Sequence, residues 1–134
     1  MTQSKIKIPF HLCDPAKILF FGSLYEIYHQ YLEDHIDDLG VTWKDWFQGE
    51  AGPPIRGLKT SYNQPLKFGV TYQAQLSVQK IGSSTVTFLF QVLGDDKQVR
   101  TSTEVTHCFV DPKKRVKVEV PKIIKEALIK HSQS

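Results

Sequence analysis

The segment Cys13-Asp14-Pro15-Ala16-Lys17-Ile18-Leu19-Phe20-Phe21-Gly22-Ser23 gathers side chains that acyl chemistry requires. Asp14 is followed by an apolar run from Ile18 to Phe21, then by Gly22 and a Ser-x-x-Glu pair, Ser23 and Glu26, of the kind that opens a helix. The first N–H groups of a helix have no intrahelical partner and carry positive partial charge. Donors at Phe21 and Gly22 can therefore polarise a carbonyl and hold the oxyanion that forms when it is attacked. A wall built from Ile18 to Phe21 would exclude water and strengthen those electrostatics. Asp14 can attack the carbonyl itself or deprotonate a water. These parts suffice to hydrolyse an activated acyl group.

The same residues have a plainer reading, in which Asp14-Pro15 starts a turn and Ile18 to Phe21 are core. Cys13, with His11 two residues earlier, is a rival nucleophile, although no third group that would orient such a pair is visible. There is no G-x-S-x-G elbow, P-loop, H-E-x-x-H pair or dinucleotide glycine fingerprint. Histidines stand at 11, 29, 35, 107 and 131. Only His29 and His35 are close in sequence, and they fall on opposite sides of a helix, so they cannot share a metal. No metal and no cofactor is expected.

The elements that would hold this segment show in the periodicity. Ile6, Ile8, Phe10 and Leu12 alternate with Lys5, Lys7 and His11, predicting a strand over 6–12 with one buried face. Pro9 removes a ladder donor, which predicts a sheet edge or a local irregularity. Leu24, Ile27, Tyr28, Tyr31, Leu32, Ile36 and Leu39 recur at helical spacing, predicting a helix of about four turns. Ser23 and Glu26 form the expected capping box, and Gly40 is the stop. Glu26, Gln30, Glu33, Asp34, Asp37 and Asp38 read as its solvated face.

Trp43, Trp46 and Phe47 predict a short helical turn before the breaker Gly52-Pro53-Pro54. Alternation returns in Val70 to Val78, in Val86 to Val92 and in Val99 to Phe109, with turns at Gly82-Ser83-Ser84 and Gly94-Asp95-Asp96-Lys97. A third turn at Asp111-Pro112 leads to a short strand over 116–120, and a last amphipathic helix starts near Pro121 and ends near Lys130.

With 134 residues the chain has the size of one domain, and residues 1–134 are read as such. A net charge of +3 and no Lys/Arg run beyond Lys113-Lys114-Arg115 argue against nucleic-acid binding. No apolar stretch approaches the roughly 18 residues of a membrane helix, and no secretory signal is visible. Two cysteines 95 positions apart, Cys13 and Cys108, favour a reducing, cytoplasmic setting over a disulfide or zinc site.

One long helix needs a large apolar surface to cover it, and short turns dictate antiparallel pairing. An α+β hotdog fold meets both demands: an antiparallel sheet of five or six strands wrapped around one central helix, with a C-terminal helix added. A single helix is a thin filling for such a sheet, which predicts self-association across a sheet edge as a homodimer or homotetramer.

Asp14-Pro15-Ala16-Lys17-Ile18-Leu19-Phe20-Phe21 resembles the D-P-A-G-I-V-aromatic-aromatic signature of the 4-hydroxybenzoyl-CoA thioesterase family of hotdog enzymes. The likeness continues through Gly52-Pro53-Pro54-Ile55, the strand from Thr71 to Val78, and Glu119-Val120-Pro121. It implies an acyl-CoA thioesterase acting on aryl- or short acyl-CoA, in which Asp14 is the nucleophile or general base. The N–H of Phe21, helped by Gly22, is then the oxyanion contact. Ile18, Phe20 and Lys17 would touch substrate, and the pair Phe20-Phe21 resembles the aryl-acyl branch.

Lys17 stands where the family usually has glycine, so this loop must either avoid positive φ or tolerate strain. The basic residues that relatives carry after the third strand are replaced by Gly82-Ser83-Ser84, leaving Lys59, Lys67, Lys80 or Arg100 to meet the nucleotide. The alternative on the same fold is a non-catalytic module that binds acyl-CoA or acyl carrier protein, and a more distant one is a purely structural dimerisation domain. Dehydratase relatives use a histidine on the helix, for which His29 is the only candidate.

Overall fold

The computed structural model describes residues 1–47 and 52–132. Strand β1 (Thr2–Lys7) leads through irregular chain to the central helix α1 (Leu24–His35), and a short helix α2 (Trp43–Phe47) follows. Strands β2 (Ile55–Tyr62), β3 (Thr71–Ile81), β4 (Thr85–Leu93) and β5 (Val99–Cys108) precede the last helix, α3 (Lys122–Ser132). The five strands form one antiparallel sheet in the order β1-β3-β4-β5-β2. This is the hotdog architecture: one face of the sheet is wrapped against α1.

The helix goes where its apolar stripe sends it. Leu24, Tyr28, Tyr31 and Leu32 are buried, and so are Ile36 and Leu39 in the tight 3-10 turn that ends the helix. They meet the inward residues of the alternating strands, with Phe90 at the centre: its ring lies 5.7 Å from Tyr28 and 5.2 Å from Tyr31. Gly40 closes the helix at φ +77°, a left-handed conformation for which glycine carries no Cβ penalty. Trp46, in α2, adds its ring to the same core beside Phe88 and Phe109.

Four buried positions on this inner surface are polar: Thr2, Thr101, Thr103 and His107. Thr2 meets the Tyr31 hydroxyl at 2.9 Å, and the Thr60 hydroxyl donates to Thr103 at 3.2 Å. His107 lies 2.8 Å from the Tyr28 hydroxyl and 3.2 Å from the Pro53 carbonyl. A carbonyl only accepts, so Nδ1 carries the proton toward Pro53 and Nε2 accepts from Tyr28. Burial holds this imidazole down to about 4, hence neutral at physiological pH.

Three local expectations are corrected. The N-terminal strand ends at Lys7, and Phe10–Leu12 form a 3-10 turn instead of its continuation, leaving Phe10 exposed. Pro9 is the physical reason, since it cannot extend the ladder, and β1 is indeed a sheet edge. Ser23 is itself in helical conformation and its side chain caps nothing, because a 3-10 turn over Phe21–Ser23 precedes α1. Residues 116–120 make only an isolated bridge, Val110 to Lys117, and no strand.

No helix among the described residues is long and apolar enough to cross a membrane. Cys13 and Cys108 are both free thiols.

Candidate active site

The Asp14 segment is a tight hairpin turn. Lys17 N–H donates to the Asp14 carbonyl at 2.9 Å, and Asp14 N–H donates to the Ile18 carbonyl at 2.9 Å. Pro15 supplies the fixed φ that such a turn wants at its second position. Lys17 then takes φ +65°, the left-handed conformation that usually selects glycine. Of the two options the sequence left for this loop, the chain uses the strained one. The side-chain Oδ1 of Asp14 accepts from Ala16 N–H at 2.8 Å, so the carboxylate is oriented by its own turn.

The turn is clamped on both sides. Cys13 and Leu19 bridge across it, and Phe20 N–H donates to the Leu12 carbonyl at 3.0 Å. On the other side Leu19 N–H donates to Leu66 at 2.7 Å and Phe68 N–H to Lys17 at 2.9 Å. Asp14 is thereby fixed at a set distance along the chain from the first donors of the central helix.

A crevice of about 500 Å³ lies beside this turn. Asp14, Ile18, Phe20 and Phe21 all line it, so the carboxylate, the apolar wall and the helix entry face one space. Phe21 N–H and Gly22 N–H have no partner among the described residues, as expected of donors in a first helical turn. Lys17 and Gly22 do not line the crevice themselves; Lys17 sits on the outer corner of the turn. Ile18 is bridged to Lys67, which brings a second lysine to that corner.

Sequence reasoning did not find the opposite wall. Tyr62, from the end of β2, Asn63, Gln64 and Pro65 from the following turn, and Thr101 from β5 complete the crevice. Tyr62 donates its phenolic proton to the Phe21 carbonyl, tying the sheet edge to the helix entry. Partial burial, with Tyr25 alongside, raises the Tyr62 phenol above its ordinary range, which keeps it a donor. Thr101 is buried, and its hydroxyl is the one buried side-chain polar atom without a hydrogen-bond partner among the described residues. Such an orphan costs about 1–3 kcal/mol. The signal available in the sequence was the inward register of Thr101 in its strand, which marks position but not purpose.

The remaining candidates lie elsewhere. The Cys13 thiol points to the Pro9 carbonyl at 3.4 Å, and His11 sits in the 3-10 turn and not on a shared strand face. His29 is exposed beside Tyr28, while His35 pairs with Asp38 at 3.1 Å. Of the cations proposed to meet a nucleotide, Arg100 is engaged by Asp96 at 3.1 Å. No group of three His, Cys, Asp or Glu among the described residues is arranged to hold a metal.

The model of the thioesterase-like superfamily matches residues 8–128 of this chain, an interval that contains the Asp14 turn, the central helix and every wall of the crevice. The chain belongs to the thioesterase-like superfamily. Among its relatives is a 1,4-dihydroxy-2-naphthoyl-CoA hydrolase of Prochlorococcus marinus, 26% identical over 125 residues that cover 87% of this chain and 83% of the relative. The fold of this superfamily member is similar to that of a 1,4-dihydroxy-2-naphthoyl-CoA thioesterase from Staphylococcus aureus, with a TM-score of 0.86 at 12% identity over 98% of this chain and 91% of that one. A 1,4-dihydroxy-2-naphthoyl-CoA thioesterase from Synechocystis gives 0.82 at 12% identity over 95% and 94%.

Proposed function

We propose that the protein is an acyl-CoA thioesterase acting on aryl-CoA thioesters, with short acyl-CoAs as the lesser substrates. The observation that carries the reading is the shared crevice: Asp14 and Phe21 line one cavity, and the helix-entry N–H groups of Phe21 and Gly22 have no partner among the described residues. The thioester carbonyl oxygen would accept from Phe21 N–H, with Gly22 N–H in support. Asp14 either attacks the carbonyl carbon or takes a proton from the attacking water. On the first route the C–S bond breaks to leave an anhydride between the acyl group and Asp14, which a water then hydrolyses to free Asp14. On the second, water adds directly and the C–S bond breaks. On both routes one water is consumed, one of its protons ends on the thiol and the other in solvent, and the acyl group leaves as a carboxylate.

The apolar wall of Ile18, Phe20 and Phe21 suits a flat aromatic acyl group, in keeping with the Asp14 motif of 4-hydroxybenzoyl-CoA thioesterases and with the names of the relatives. Lys17, joined at its corner by Lys67, would face the anionic carrier outside the crevice. The free thiols of Cys13 and Cys108 support a cytoplasmic setting.

The enzyme would act as a dimer. Strand β2 is a sheet edge whose Ile55, Leu58 and Tyr62 are 38%, 47% and 44% exposed, an apolar strip that pairing with a second copy would cover. Tyr62 belongs to both that edge and the crevice, so the interface would run to the active site.

The test is thiol release from a panel of aryl-, short-chain and long-chain CoA esters. Turnover led by the aryl esters is expected. Tight binding without turnover across the panel would instead support a non-catalytic acyl-thioester module.

A further inference from the structure

We infer that Thr101 is a specificity-determining residue, whose hydroxyl hydrogen-bonds a polar substituent, above all a ring hydroxyl, on the acyl group of the substrate. The inference rests on the thioesterase reading for its substrate class and on the structure for its residue.

Three buried polar side chains on the inner surface find partners within the protein: Thr2, Thr103 and His107. Thr101 does not, and it is the one that lines the crevice holding Asp14 and Phe21. Its neighbours in register are Tyr62 on β2 and Val92 on β4, the first committed to the Phe21 carbonyl and the second apolar. Ile18, Leu19, Phe20, Pro65 and Leu66 in the same wall offer no side-chain hydrogen-bonding group. The remaining polar side chains of the lining are Asp14, which accepts from Ala16 N–H, Asn63, which donates to the Val99 carbonyl at 3.2 Å, and Gln64. Asn63 and Gln64 are exposed, whereas Thr101 is buried.

A valine would fill the same volume with no unmet polar atom, so packing alone does not call for a hydroxyl at this position. In ligand sites, a few polar groups set in an apolar wall fix orientation and select among similar ligands. Rotation about χ1 exchanges the hydroxyl and methyl of threonine within one footprint, so the oxygen can turn toward a ligand without moving its neighbours. The hydroxyl both donates and accepts, which matches a phenolic hydroxyl in either sense.

The experiment compares wild type, Thr101→Val and Thr101→Ser with benzoyl-CoA and its 2-, 3- and 4-hydroxy derivatives. Binding of the uncleavable thioethers phenacyl-CoA and its three ring-hydroxylated forms is measured beside turnover. Thr101→Val is expected to melt no lower than wild type. Its preference for the best hydroxylated compound over the plain one should fall by about tenfold or more, the size of one lost hydrogen bond in a site built for it. Thr101→Ser should restore that preference. A preference that Thr101→Val leaves intact, or a wild type with no preference, overturns the inference even if every ester is hydrolysed. A Thr101-dependent preference in thioether binding, without hydrolysis of any ester, upholds the inference and overturns the thioesterase reading instead.

Discussion

Tyr62, the last residue of an edge strand, donates its phenolic proton to the carbonyl of Phe21, the first residue of the turn that opens the central helix. The bond joins the sheet to the helix entry, where the Phe21 and Gly22 N–H groups have no partner among the described residues. It fixes the peptide that follows Phe21, and so the direction of the Gly22 N–H. A helix entry without such a tether would fray, as first turns do, and its donors would have to be reorganised during reaction.

Removing that tether should therefore cost rate more than binding. Tyr62→Phe keeps the ring in the crevice wall and deletes only the proton. We expect kcat to fall by about fivefold with KM little changed, the loss of one net hydrogen bond of about 1 kcal/mol expressed in the transition state. Steady-state kinetics on the best aryl ester reads this directly; a rise in KM at constant kcat would mark Tyr62 as a mere substrate contact.

Acid should unfold the protein through His107. Its pKa is held down to about 4 in the fold against an ordinary value near 6.5. Between those values the unfolded chain binds a proton that the folded chain refuses, so stability is complete above about pH 6.5 and falls as pH drops toward 4. The loss amounts to about 3 kcal/mol. Urea unfolding across that window should show the slope in wild type and a flatter one in His107→Gln, which does not titrate.

Lys17 trades stability for position. Its left-handed backbone at φ +65° carries strain of the order of 1 kcal/mol, partly offset in a glycine variant by the freer unfolded chain. Lys17→Gly is expected to raise the melting temperature slightly while raising KM for CoA esters a few-fold. A gain in stability together with a loss in substrate binding would separate the backbone role from the charge; unchanged KM would leave Lys17 a solvated side chain.

The edge strand β2 should be the dimer contact. Leu58 is 47% exposed in mid-strand, and a charge there would be buried by pairing. Leu58→Glu is expected to shift the protein to monomer in light scattering at unchanged secondary structure. A variant of the same mass distribution as wild type would move the contact elsewhere.

Much of this architecture was legible before any coordinates. The stripe from Leu24 to Leu39 and the alternation from Tyr72 to His107 are strong periodic signals, and both faces lie where the periods put them. The misreadings fall where short-range chemistry competes with periodicity. Pro9 ended a strand whose alternation continued on paper, and a 3-10 turn displaced the capping role of Ser23. The Asp14 half of the crevice was readable because its residues are consecutive. The Tyr62 and Thr101 half was not, because strand pairing alone brings β5 and the end of β2 to the helix entry.

The central claim is that the carboxylate of Asp14 performs the chemistry that the Phe21 and Gly22 donors assist. The most direct measurement is thiol release by Asp14→Asn on the best aryl-CoA ester, beside a melting curve for the same variant. Asparagine can keep the side-chain oxygen that accepts from Ala16 N–H, so the turn should survive. A loss of about a hundredfold or more in kcat at an unchanged melting temperature is the predicted result. A rate equal to wild type would contradict the account and leave Asp14 a turn residue only.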